Sequence, residues 1–142
     1  MTFVSKEFIN PPELPNWGHA FSQLVVVTDG ATKTIYVSGQ VSVDKDKNLI
    51  GAGDLRTQAM QAFHNLDTAL RAAGAQSSAV VKLNIYVKNY QHSDAAPINE
   101  ALQRFFPQGK LPATTWLGVQ ALADEGFLIE VDAIAVVLVN SE

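Results

Sequence analysis

Cysteine is absent from this 142-residue chain. Disulfides, thiolate nucleophiles and cysteine-ligated zinc are therefore excluded, and the composition fits a reducing compartment. Basic residues are few: ten Lys and Arg stand against fourteen Asp and Glu, for a net charge of −4, and no two are adjacent. Phosphate backbones recruit clustered positive charge, so nucleic acid is not expected as a partner. No apolar run approaches the roughly 18 residues of a membrane span. The N-terminal stretch MTFVSKEFINPPELP lacks the apolar core of a secretory signal. The three histidines are scattered without ligand spacing. Gly51 and Gly53 lack the strand-to-helix context of a nucleotide loop. These absences lead us to expect a cytoplasmic protein with no membrane contact, no metal and no cofactor.

What is present reads as one domain over residues 1–142, with 1–17 as an extended, proline-rich lead-in. The hydrophobic share of 47% is high for this length and points to an oligomer interface. Strands are predicted over 21–28 and 34–41. Asp29-Gly30 marks a hairpin between them, with a loop longer than two residues. In the second strand, Ile35, Val37, Gly39 and Val41 share one face, and Tyr36, Ser38 and Gln40 the other. Asp54 is placed to cap a helix whose stripe is Leu55, Ala59, Ala62, Phe63, Leu66, Ala69, Leu70 and Ala73, stopped by Gly74. A strand follows over 80–88, with Val81, Leu83, Ile85 and Val87 on one face. A second helix begins near Ser93 or Asp94, holds Pro97 in its first turn, and buries Ile98, Leu102, Phe105 and Phe106.

The stretch Pro112–Val139 reads as two strands joined by a hairpin, with Asp124-Glu125-Gly126 as the turn and Gly126 free to adopt positive φ. Its second strand alternates, so Glu130 and Asp132 are two acids on one face. The element order is ββ-α-β-α-ββ, an α+β mixed sheet. Two helices can cover only one sheet face, and Tyr36, Ser38, Gln40, Tyr86 and Trp116 are more apolar than a solvated face needs. A sheet-mediated oligomer is the simplest way to bury them.

Several segments in order resemble the Rid family, also known as YjgF or endoribonuclease L-PSP-like. They are Ser38-Gly39-Gln40 after a strand, Gln58–Gly74, Val80-Val81-Lys82, Asn99-Glu100 before Phe105-Phe106-Pro107, Pro112-Ala113, and Ile129-Glu130-Val131. The resemblance spans about residues 18–138. It implies a chorismate-mutase-like fold and a homotrimer with small-molecule clefts between subunits. Enzymes of that family hydrolyse reactive enamines and imines, such as 2-aminoacrylate. An arginine after the Pro-Ala pair grips the substrate carboxylate as a bidentate fork, and an acid holds the attacking water. Here the arginine position is Thr114 and the acid position is Glu130. The family's N-terminal tyrosine is replaced by the loop Trp17–Ser22.

Glu130 is thus either a catalytic acid or a charged interface partner. Thr114, Ser38, Gly39, Gln40, Asn99, His19 and Trp116 are the candidate ligand contacts, each with a structural alternative. Three functions are open. The clefts bind or hydrolyse a small polar metabolite, with 2-imino-acid deamination weakened by Thr114. The chain is an imine deaminase using another cation, Lys110 or Arg104. Or it is a ribonuclease or translation inhibitor, against which the acidic balance argues. Whether it is an enzyme, of the deaminase-like hydrolase type, stays open at this point.

Overall fold

The computed structural model describes residues 3–139. Six strands form one sheet in the order β1-β2-β3-β6-β4-β5: β1 Val4–Ile9, β2 Leu24–Asp29, β3 Thr32–Gln40, β4 Val80–Lys88, β5 Ala113–Val119 and β6 Ile129–Leu138. Helices α1 (Leu55–Ala72) and α2 (Ala95–Phe105) pack together on one face. This is the expected mixed α+β sheet with helices on a single side. One strand is additional: β1 lies within what reads in sequence as lead-in, and pairs antiparallel with β2.

The helices form for local reasons. The Asp54 carboxylate accepts from the Thr57 backbone N–H and satisfies one of the free donors at the start of α1. At its end Gly74 takes φ +77, and the Ala75 and Gly74 N–H groups donate to the Leu70 and Arg71 carbonyls, a Schellman stop. The stripe Ala59, Ala62, Phe63, Leu66, Ala69 and Leu70 is buried against the sheet. Facing it are Leu24, Val26, Ile35, Val37, Leu83, Ile85, Val87, Ile129, Val131 and Ala133. Ile98, Ala101 and Phe106 bring α2 into the same core.

The structure corrects four local expectations. β5 and β6 do not form a hairpin. β5 pairs parallel with β4, and β6 lies between β3 and β4, antiparallel to both. Each helix therefore connects parallel strands, as a crossover must, and the stretch between β5 and β6 carries the chain across β4. Gly126 has no positive φ. A Cβ there would meet Leu49 Cδ2 at 2.7 Å, so that side chain would have to shift. The β2–β3 loop is two residues long, with Asp29 opposite Thr32, and Gly30 at φ +61 takes the first central position, as in a type II′ turn. Finally, two bulges reassign faces. β4 slips between Val80 and Lys82, which turns Val81 out to solvent. β3 slips between Val37 and Gln40, so Ser38 and Gly39 together oppose Asp132 and Gln40 turns to the helix side. Trp116 also lies on that side, beside Ile85. The open face carries Phe8, Val25, Tyr36, Ile134, Tyr86 and Leu117 instead. Phe8, Tyr36 and Leu117 are well exposed there.

Candidate functional site

The β3 bulge and the start of β6 bring the candidate acid Glu130 against Gly39. Glu130 projects from the open face, beside Tyr86 across the β4–β6 pair, with Asp132 two residues along and paired to Asn84. Asn84 Nδ2 donates to Asp132 Oδ1 at 2.8 Å. The Glu130 side chain lies against Gly39: a Cβ at that position would sit 2.5 Å from the Glu130 carboxyl carbon. Glycine is therefore the only residue that lets the acid rest on the bulge. Burial, and after it the Asp132 charge, raises the Glu130 carboxyl above the ordinary carboxylate range. Burial, followed by Asp132 and Glu130, raises the Tyr86 phenol. A carboxyl shifted upward in this way is better suited to exchanging a proton than an ordinary surface glutamate.

Around this acid is a hollow of about 500 Å³, lined by Trp17, Phe21, Ser38, Gly39, Val41, Ala123, Asp124, Phe127 and Glu130. Its walls come from four segments tied together by buried amides. Gln40 donates to Gln23 Oε1 at 2.7 Å and to the Ser38 carbonyl, and Gln23 Nε2 donates to the Pro15 carbonyl at 2.7 Å. Asn65 of α1 donates to the Val41 and Val43 carbonyls, both at 2.9 Å. Gln58, also buried on α1, donates to the Gly51 and Gly126 carbonyls and accepts from the Leu128 N–H. These bonds satisfy backbone groups that loops would otherwise leave unpaired. The Ser38 hydroxyl donates to the Ser22 carbonyl at 2.6 Å.

A second hollow of about 350 Å³ lies on the helix side, between α2 and β5. It is lined by Asn99, Leu102, Gln103, Phe106, Gln108, Leu111, Pro112, Thr114 and Trp116. Thr114 pairs with Leu83, whose side chain faces the helices, and its hydroxyl donates to the Pro112 carbonyl at 3.0 Å. Trp116 packs edge-on to Tyr90, with its buried Nε1 unpartnered among the described residues.

The sequence-derived candidates thus divide. Ser38, Gly39 and Glu130 meet in the first hollow. Thr114, Asn99 and Trp116 meet in the second. Gln40 is spent on the amide pair with Gln23, and His19 is exposed in the N-terminal loop, outside both linings. Neither hollow is lined by a cation. Arg104 pairs with Glu100 at 3.4 Å, and Lys110 is exposed. One cation beside this hollow has no signal in the sequence: Lys47 Nζ lies 4.3 Å over the Trp17 ring. Val41, Asp124 and Phe127 were missed as well, because they reach the site only through the bulge and the β5–β6 connection. A third, polar hollow along α1, lined by Glu13, Asp44, Lys45, His64 and Arg71 among others, contains none of the candidates. Among the described residues no cluster of metal-ligating side chains occurs, and no helix is long and apolar enough to cross a membrane.

The model of the endoribonuclease L-PSP family matches residues 14–137. A 2-iminobutanoate/2-iminopropanoate deaminase of Dermatophagoides farinae is 34% identical over 93% of this chain and 97% of its own length. A protein of the same name from Rattus norvegicus is 35% identical over 96% of this chain and 93% of its own. The crystal structure of RidA from the Antarctic bacterium Psychrobacter sp. PAMC 21119 superposes with a TM-score of 0.77 at 29% identity, covering 92% of this chain and 99% of that one.

Proposed function

Starting from the endoribonuclease L-PSP (Rid) family, to which this chain belongs, we propose that its clefts bind or hydrolyse a small polar metabolite, with Glu130 as the working acid. The observation that carries this reading is the half-buried Glu130 carboxyl, raised in pKa and seated on the Gly39 bulge in a concave site. Hydrolysis of an imine adds water across C=N and releases ammonia and an oxo compound. Glu130 takes the water's proton and returns it to the leaving nitrogen.

The cleft lies between subunits of a homotrimer. Within one chain Thr114 and Glu130 sit on opposite faces of the sheet. One ligand can touch both only across a subunit boundary. The apolar open face, with Tyr36 and Leu117 each 47% exposed, supports the same assembly. Light scattering should return a trimer mass at micromolar concentration, and a monomer mass would refute it.

Thr114 has one hydroxyl and no charge. Deamination of free 2-imino acids should therefore be weak, since the carboxylate loses its bidentate partner. The measurement is ammonia release from freshly generated 2-aminoacrylate. Turnover at least tenfold below an arginine-bearing relative is expected, because a charge-assisted bond contributes about 1.5–3 kcal/mol. Equal turnover would overturn this part. The names of the relatives favour a second reading, an imine deaminase that grips the carboxylate with a different cation, for which Lys47 over Trp17 is best placed. Lys47→Met would abolish turnover under that reading and leave it unchanged under the first.

A further inference from the structure

We propose that the hollow beside Glu130 receives an aromatic ring. The ligand of this chain is then an aromatic compound with its amine-type or imine nitrogen a short linker away from the ring. This rests on the hollow being the ligand site but not on any catalysis there.

Three of the nine lining residues, Trp17, Phe21 and Phe127, are aromatic, and Val41 adds a branched aliphatic side chain. Trp17 and Phe21 already stack, with centroids 6.5 Å apart and planes 26° from parallel. Phe21 nevertheless remains 45% exposed. An incoming ring can add to this pair by an edge-to-face or offset contact, which contributes beyond the area it buries. The rings are held in place rather than loosely tethered. The Ala20 and Phe21 N–H groups donate to the Trp17 carbonyl at 2.8 and 3.0 Å, and Gln23 fastens the loop to Pro15 and, through Gln40, to the bulge. A preformed wall loses little entropy on binding.

Size and charge point the same way. About 500 Å³ lies within the roughly 300–1,000 Å³ that accommodates drug-sized ligands. A three- or four-carbon imine would leave the aromatic wall uncovered. The lining carries two carboxylates, Glu130 and Asp124, which suit a donor or positively charged nitrogen, while Lys47 lies outside the lining, over the Trp17 ring.

Titration calorimetry on the full chain with ethylamine, butylamine and 2-phenylethylamine tests this, since the head group stays constant while the ring is added. A hydrophobic pocket discriminates by roughly tenfold or more per well-buried group, so 2-phenylethylamine should bind at least tenfold more tightly than butylamine. Trp17→Ala and Phe21→Ala should each lose most of that gain while the chain stays folded by circular dichroism. No binding of 2-phenylethylamine, or a ring gain that persists in both variants, overturns the proposal. If the ring gain is found but no imine is hydrolysed at all, the catalytic reading of Glu130 fails while this assignment stands.

Discussion

The two hollows are built from opposite sides of one sheet, and their contents differ in kind. The open-face hollow holds a titratable acid among aromatic and aliphatic walls, resting on a bulge glycine whose missing Cβ leaves it room. The helix-side hollow holds Asn99, Gln103, Gln108 and Thr114, all neutral, with Trp116. A proton can be moved only in the first, while the second can orient a ligand through hydrogen bonds and exclude water. Under the proposed trimer, an acid and a neutral hydrogen-bonding surface that lie on opposite faces of one chain's sheet would meet at a subunit boundary.

The sharpest way to break that contrast is Glu130→Gln, which keeps shape and removes the titratable group. A positioned general acid–base contributes about 10²- to 10⁴-fold, so turnover should fall by that order with fold and trimer intact. A variant that only weakens the trimer would make Glu130 an interface residue. Next in size is Thr114→Arg, which converts the neutral hollow into a charged one. Deamination of 2-aminoacrylate should rise about 10- to 150-fold, the equivalent of about 1.5–3 kcal/mol. A flat response would mean that the second hollow does not share the ligand.

Two smaller effects concern the scaffold. Asn65→Ala leaves the Val41 and Val43 carbonyls without their donor and should destabilise the fold by about 1–3 kcal/mol, read from denaturant midpoints. Surface Thr115→Ala, which removes only the exposed Lys82 contact, should change the midpoint little. Last is a pH effect. Glu130 has a folded pKa above its unfolded value, so the folded state binds the proton more tightly. Stability is therefore highest when both states are protonated, and it declines as pH rises through the window between the unfolded and the folded pKa. Glu130→Gln should accordingly melt higher than the parent at pH 7 to 8, with the gain vanishing below about pH 4, under the ordinary glutamate range. An equal gain at all pH values would show that the carboxyl is not perturbed.

Much of the fold could be read along the chain. Helix α1, from the Asp54 cap to the Gly74 stop, follows from local hydrogen bonding and a 3.6-residue apolar period, and the core stripe falls where that period places it. The candidate contacts could be named one by one, but their division could not: Ser38, Gly39 and Glu130 lie in one hollow and Thr114, Asn99 and Trp116 in the other. Gln40 is a candidate contact in sequence through the Ser38-Gly39-Gln40 tripeptide, whereas one extra residue in β3 turns it inward onto Gln23. Strand β1 was missed because its pattern VSKEFI pairs at an edge with little burial to mark it.

By itself, then, the sequence determined whatever depends on neighbours a few residues away: the helices and their caps, the strands other than β1 as segments, and the acidic balance. The tertiary structure alone decided what depends on partners far along the chain. It placed β6 between β3 and β4, so that β5 lies parallel beside β4 and not in a hairpin. It also set the bulge that seats Glu130 on Gly39 and left Trp17 and Phe127 sharing a wall. Strand segments carry the signal for their own pleat, but their pairing is a competition among all edges for one shared core, and short-range periodicity holds no record of its outcome.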